Sequence, residues 1–132
     1  MDSVLVFFGG ALPEEVEREA SKAGFAAGAV TRGSEYFYFS RYSDNEMREE
    51  LDSEEQEALR RVLGEEIKSA FQVASRHGAN ARFALQVVSS LMSKFRPSVL
   101  YDDFGNLWLP AQVASCAAEF HQDGIYAMRP DA

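Results

Sequence analysis

A chain of 132 residues, 46% apolar and 26% charged, is one globular domain by size and composition. Ten Phe, five Tyr and one Trp argue against a disordered chain, and a single cysteine excludes an internal disulfide framework. Of the net charge of −8, all but one unit falls between Asp44 and Glu57, so no basic stripe is left to bind a phosphate backbone.

Ser3–Phe8 is a short apolar run that stops at Gly9-Gly10 and predicts a buried strand. The run is too short for a signal-peptide core or a membrane span, and no basic residues precede it. A cytoplasmic location is the expectation. Pro13-Glu14-Glu15 opens a helix, since proline fits the first turn and acids suit its positive end. Val16, Ala20 and Ala23 form its apolar stripe, and Gly24 closes it.

Phe25–Val30 predicts a second strand, with a turn at Thr31-Arg32-Gly33-Ser34. Glu35–Tyr42 follows as an aromatic strand, making a hairpin. Alternation puts Phe37 and Phe39 on the core side, and Tyr36, Tyr38 and Tyr42 on a wetter side. Ser43-Asp44-Asn45-Glu46 and Ser53-Glu54-Glu55-Gln56 both fit a capping box, where the first side chain and the fourth satisfy each other's backbone N–H. The second predicts a helix through Leu59, Val62 and Leu63 to Gly64; the first marks a helix start or only a turn.

Glu66–Ser75 is the next expected strand, and His77-Gly78 a turn. Asn80 is placed to cap the following helix, whose apolar residues Ala84, Val87, Val88, Leu91, Met92 and Phe95 recur at helical spacing until Pro97 stops it. Ser98–Asp102 predicts a strand, Asp103–Asn106 a turn, and Leu107–Leu109 a short return. A last helix starts at Pro110, turns Val113, Ala114, Ala117 and Phe120 inward, and ends at Gly124. The alternating order predicts an α+β domain: a mixed sheet with helices mainly on one face, closest to a ferredoxin-like plait with decorations.

The search for chemistry is largely negative. Cys116 and His121 diverge on one expected helix, and neither a Cys-x-x-Cys nor a His-x-x-x-His pattern occurs. Asp102-Asp103 could meet Mg²⁺ at a strand end, but a turn-capping Asp beside a solvated one is the plainer account. Cys116 lies among alanines with no base near it in sequence, so an inert packed thiol is expected. Gly9-Gly10 stands between strand and helix as a phosphate loop does, yet Glu14 and Glu15 would repel an anion. No catalytic group, metal or cofactor is expected.

Two features remain. One is the acidic segment, and the other is the set of amphipathic aromatics. Acids steer association with a basic partner, and Tyr and Trp anchor interfaces that must also tolerate water. The candidate partner-binding residues are therefore Glu46, Glu49, Glu50, Glu54, Glu55, Tyr36, Tyr38, Tyr42 and Trp108. The plainer account of each is a solvated helix face for the acids, a sheet face covered by the protein's own helix for the tyrosines, and core for Trp108.

One stretch carries a resemblance. A helix with Ala84, Leu85, Leu91 and Phe95 runs into Pro97-Ser98-Val99-Leu100-Tyr101-Asp102-Asp103-Phe104-Gly105-Asn106-Leu107-Trp108, then a proline and another helix. Residues 80–120 thus resemble small bacterial α/β proteins of the toxin-immunity type. The resemblance implies a ferredoxin-like or related fold and a binding role, and transfers no site residue. The expected function is a cytoplasmic protein-binding domain, an immunity or inhibitor protein that occludes a basic partner such as a toxin. Neither nucleic acid nor membrane is an expected partner, and an exposed tyrosine row would allow a homodimer. The alternative is a small enzyme or metabolite-binding domain with Tyr36, Tyr38, Arg41 and His77 lining a pocket between sheet and helices.

Overall fold

The structure, a computed structural model, describes residues 2–76 and 78–118. Its strands are β1 (Asp2–Phe8), β2 (Phe25–Ala26), β3 (Ala29–Arg32), β4 (Glu35–Arg41), β5 (Ser69–Ser75), β6 (Ser98–Tyr101) and β7 (Leu107–Trp108). Its helices are α1 (Pro13–Ala20), α2 (Asp44–Glu50), α3 (Ser53–Leu63), α4 (Ala79–Lys94) and α5 (Pro110–Ala118). The fold is α+β. The strands form one sheet in the order β2-β3-β4-β5-β1-β6-β7.

Every pairing in that sheet is antiparallel, which corrects the expectation of a mixed sheet. The reason is topological. The route through α1 leaves β1 and re-enters at the edge strand β2, with β5, β4 and β3 between, and the route through α4 leaves β5 and re-enters at β6 with β1 between, so no two parallel strands are neighbours.

Strand alternation divides the core in two. Val4, Val6 and Phe8 of β1, Phe37 and Phe39 of β4, and Phe71 and Val73 of β5 face α1, α4 and α5. The aromatic rings there interlock, with Phe39 stacked on Phe71 at 4.5 Å and Phe37 edge-on to Phe83 at 5.2 Å. Phe7, Ala70 and Val99 point the other way, toward Met47, Leu51, Leu59 and Leu63 of the α2–α3 segment. Helices therefore cover both faces, and the expectation of helices mainly on one face holds only for α1, α4 and α5.

Both helices of the acidic segment form. Ser43 Oγ accepts from Glu46 N and Glu46 Oε1 from Ser43 N, each at 3.1 Å, so the first start is a helix and not merely a turn. The second box moves by one residue. Asp52, not Ser53, caps α3, accepting from Glu55 N at 2.8 Å while Glu55 Oε1 accepts from Asp52 N at 3.1 Å. The expected second strand also splits, because Ala27 and Gly28 both take positive φ and fold Phe25–Val30 into the β2–β3 hairpin. Asn80 does not cap α4; its side-chain oxygen accepts instead from the Tyr36 backbone N–H at 2.9 Å. His77, Phe120, His121 and Gly124 lie outside the described residues.

Candidate functional site

Three rungs run across the second face of the sheet. Tyr38, Ala74 and Ser3 are aligned, then Ser40, Gln72, Leu5 and Tyr101. The third aligns Ala70, Phe7 and Val99, with the Tyr42 N–H bonded to the Ala70 carbonyl at 2.8 Å. The α2–α3 segment covers the third rung and packs partly against Leu5 and Tyr101 of the second. Tyr42 is buried there, edge-on to Phe7 at 6.3 Å. On the first two rungs Ser40 and Tyr38 are exposed, while Ser3, Leu5, Gln72 and Ala74 are half-buried. Tyr36 continues this face on β4, edge-on to Tyr38 at 5.8 Å.

Where covered and open halves meet there is a cleft of about 220 Å³. Ser3, Leu5 and Gln72 form its floor, and Tyr42 and Tyr101 supply aromatic walls. Glu50 and Glu55 stand on one rim, with Asp103 and Gly105 of the β6–β7 turn on the other. The Tyr101 hydroxyl donates to Glu55 Oε2, so β6 and α3 are tied across the cleft. The Tyr42 hydroxyl donates to the Glu46 carbonyl at 3.4 Å.

Both phenols hold their protons tightly. Burial is the main cause for each, followed by the charge of Glu50 beside Tyr42 and the hydrogen bond to Glu55 at Tyr101. Each pKa is raised from 10.0 to about 12. The folded chain thus binds these protons more tightly than the unfolded chain. Their stabilising contribution is full below pH 10 and disappears as pH rises through about 12. Phenolate absorbance followed beside urea midpoints should show Tyr42 and Tyr101 ionising last, with stability falling over that interval. Ionisation of every phenol near pH 10 would contradict this.

The sequence-predicted residues are only partly gathered. Tyr42, Glu50 and Glu55 meet at the cleft, while Tyr36 and Tyr38 stand on the adjoining open sheet. Glu49 and Glu54 are exposed on α2 and α3, and Glu46 is half-buried as the α2 cap partner. Trp108 corrects its place among the partner anchors. It is fully buried on the opposite face, and its Nε1–H donates to Asp102 Oδ2 at 2.8 Å. Asp102 also accepts from the N–H groups of Phe104 and Asn106 at 2.9 and 2.8 Å, so it caps the turn.

The pocket lining imagined for an enzyme does not assemble. Arg41 points away from Tyr36 and Tyr38, to Glu17 of α1 at 2.6 Å, and His77 is outside the described residues. Cys116 is half-buried against the first core cluster. Tyr101 was missed by sequence reasoning, although strand alternation already pairs it with Val99 on one face. Among the described residues no group of three or more His, Cys, Asp or Glu is placed to hold a metal ion. Among them, too, no helix is long and apolar enough to cross a membrane.

No protein-family model, curated protein or solved structure matches this chain. The functional reading therefore rests on the cleft and the face around it.

Proposed function

We propose that this chain is a protein-binding domain of the immunity or inhibitor type, acting in the cytoplasm on a basic protein. The observation that carries the reading is the half-open sheet face. Its exposed Tyr38 and half-buried Tyr36 offer amphipathic contact area beside the carboxylates of α2 and α3. Negative charge on that border attracts a basic surface. It repels nucleic-acid backbone and a second copy of the same face.

The core supports the finer fold reading. Four antiparallel strands in the order β4-β5-β1-β6, with α1 and α4 as crossovers on one side, match a ferredoxin-like plait. The β2–β3 hairpin, α2–α3, β7 and α5 are its decorations. In a plait the face opposite the crossover helices is free, and here the acidic pair covers only half of it.

The first test is affinity capture from the source cell's lysate at low and high salt, followed by kinetics with the purified partner. Changing Glu49, Glu50, Glu54 and Glu55 to Gln should slow association about tenfold at low salt and alter dissociation little. Gln at 55 still completes the capping box, so α3 is kept. A partner whose association ignored both salt and these substitutions would overturn the reading. So would recovery of no basic protein at all.

A further inference from the structure

We infer that residues 43–67 form a flap that lifts from the sheet as one unit while the sheet itself stays intact. Three features of the segment lead to it.

The first is where it is attached. β4 and β5 are neighbouring antiparallel strands, and their pairing runs on to the bond from the Tyr42 N–H to the Ala70 carbonyl at 2.8 Å. The flap is therefore the long loop of a β-hairpin, with its two ends side by side. The Lys68 N–H donates to the Phe8 carbonyl at 2.9 Å, so the return into β5 is pinned to β1. Releasing what lies between these anchors breaks no strand pairing.

The second is that its polar bonds are mostly its own. Ser43 and Glu46 cap α2, Asp52 and Glu55 cap α3, and the Gln56 side-chain amide donates to the Leu51 carbonyl at 3.0 Å. Arg60 pairs with Glu66 and Arg61 with Glu57. Among the described residues, no backbone hydrogen bond joins 43–67 to the rest of the chain. Its side-chain bonds to the rest come from the hydroxyls of Tyr42 and Tyr101, which act as latches.

The third is the size of the layer it completes. Among the described residues the second cluster holds eight buried residues and the first holds twenty. Met47, Leu51, Leu59 and Leu63 are the flap's buried share. Opening gives up their contacts and leaves the first layer packed, so it takes less free energy than unfolding the whole chain. At seven and eleven residues, α2 and α3 are too short to persist as helices in water, so lifting and melting are one event.

One face of the sheet thus has two presentations. With the flap closed, the Tyr38 and Ser40 side of the face is open. With the flap lifted, Phe7 and Val99, both fully buried beneath it, join that surface. The flap is a built-in cover that sets how much apolar sheet the domain shows.

The test is native-state hydrogen exchange of the full chain, read by NMR over a series of low urea concentrations. The amides of Leu51, Leu59 and Gly64 should share one protection level, at least about tenfold below those of Val6, Phe71 and Leu85. Their urea dependence should be shallower, because opening exposes less surface than unfolding. Val88→Ala, a small truncation in the first layer, should lower the protection of Val6, Phe71 and Leu85 about tenfold. It should leave the flap amides within about twofold, since the closed and open states carry the substitution alike. Tyr101→Phe removes one latch and keeps the ring, and should lower flap protection by about threefold or more. Flap amides as protected as those of Val6 and Phe71, or lowered by Val88→Ala to the same extent, would show that the segment opens only with the whole chain and overturn the flap. Unrelated protection levels at Leu51, Leu59 and Gly64, with no urea dependence, would show residue-by-residue fraying and overturn it too.

Discussion

Replacing Asp102 with alanine should cost about 3 kcal/mol or more of stability, the largest effect expected of any polar substitution here. Its two oxygens accept from Phe104 N, Asn106 N, Asn106 Nδ2 and Trp108 Nε1 at 2.8–3.2 Å. The turn amides can reach water after the change. The indole N–H cannot, because Trp108 is fully buried. An unpaired donor in the core loses its hydration without recompense, at about 1–3 kcal/mol. Loss of the charge-assisted bonds to the turn adds to this. Asp102→Asn keeps one acceptor oxygen and should cost less. Trp108 is the chain's single tryptophan, so its fluorescence reports the change directly. The urea midpoint should fall with an unchanged slope, and the double-mutant cycle with Trp108→Phe should show strong coupling. An Asp102→Ala midpoint matching the parent's would show that the buried bond contributes nothing.

Gly10→Ala should destabilise by about 2–4 kcal/mol, for a steric reason. A Cβ built at Gly10 overlaps the carbonyl oxygen of Arg96 and lies 3.3 Å from its carbonyl carbon. Those are backbone atoms, so no rotamer change relieves the clash. Next to it the Gly9 N–H donates to the Pro97 carbonyl at 2.9 Å, and Phe8 pairs with Ser98 at the end of the β1–β6 ladder. Pushing the two segments apart strains both contacts. The exposed side chain of Arg96 takes no part, so Arg96→Ala should leave the midpoint almost unchanged. A Gly10→Ala protein as stable as Arg96→Ala would refute the steric account. The glycine pair that resembles a phosphate loop in sequence is thus explained, at Gly10, by close backbone approach.

The elements of the first core layer were legible because their pattern is local. Alternation placed Phe37 and Phe39 inward, and helical spacing identified Leu91 and Met92. The second layer was harder to read. Between Asp44 and Leu63 only Met47, Leu51, Leu59 and Leu63 are buried apolar residues, and the many acids around them look like a wholly solvated segment. What holds that segment down is a set of distant partners, Phe7, Ala70 and Val99, that no local window contains. The same limit split the tyrosines. Tyr36, Tyr38 and Tyr42 share one parity, but the chain reverses into α2 directly over Tyr42 and leaves the others uncovered. Trp108 shows the limit for the candidate site. Its sequence neighbourhood fits core more plainly than anchor, and its complete burial, with the Asp102 bond, decides for core.

The borders of the sheet have a consequence for how anything can attach. The outermost strands, β2 and β7, are two residues each. Among the described residues, a visiting chain that tried to extend the sheet from β2 or β7 would meet only a short row of backbone groups. Such stubs are poor templates for strand addition and for runaway fibril growth. For the proposed binding role, this favours the surface of the sheet over its rim. Selectivity then depends on side-chain shape and charge, since the generic backbone pattern that any extended peptide could match is scarcely on offer.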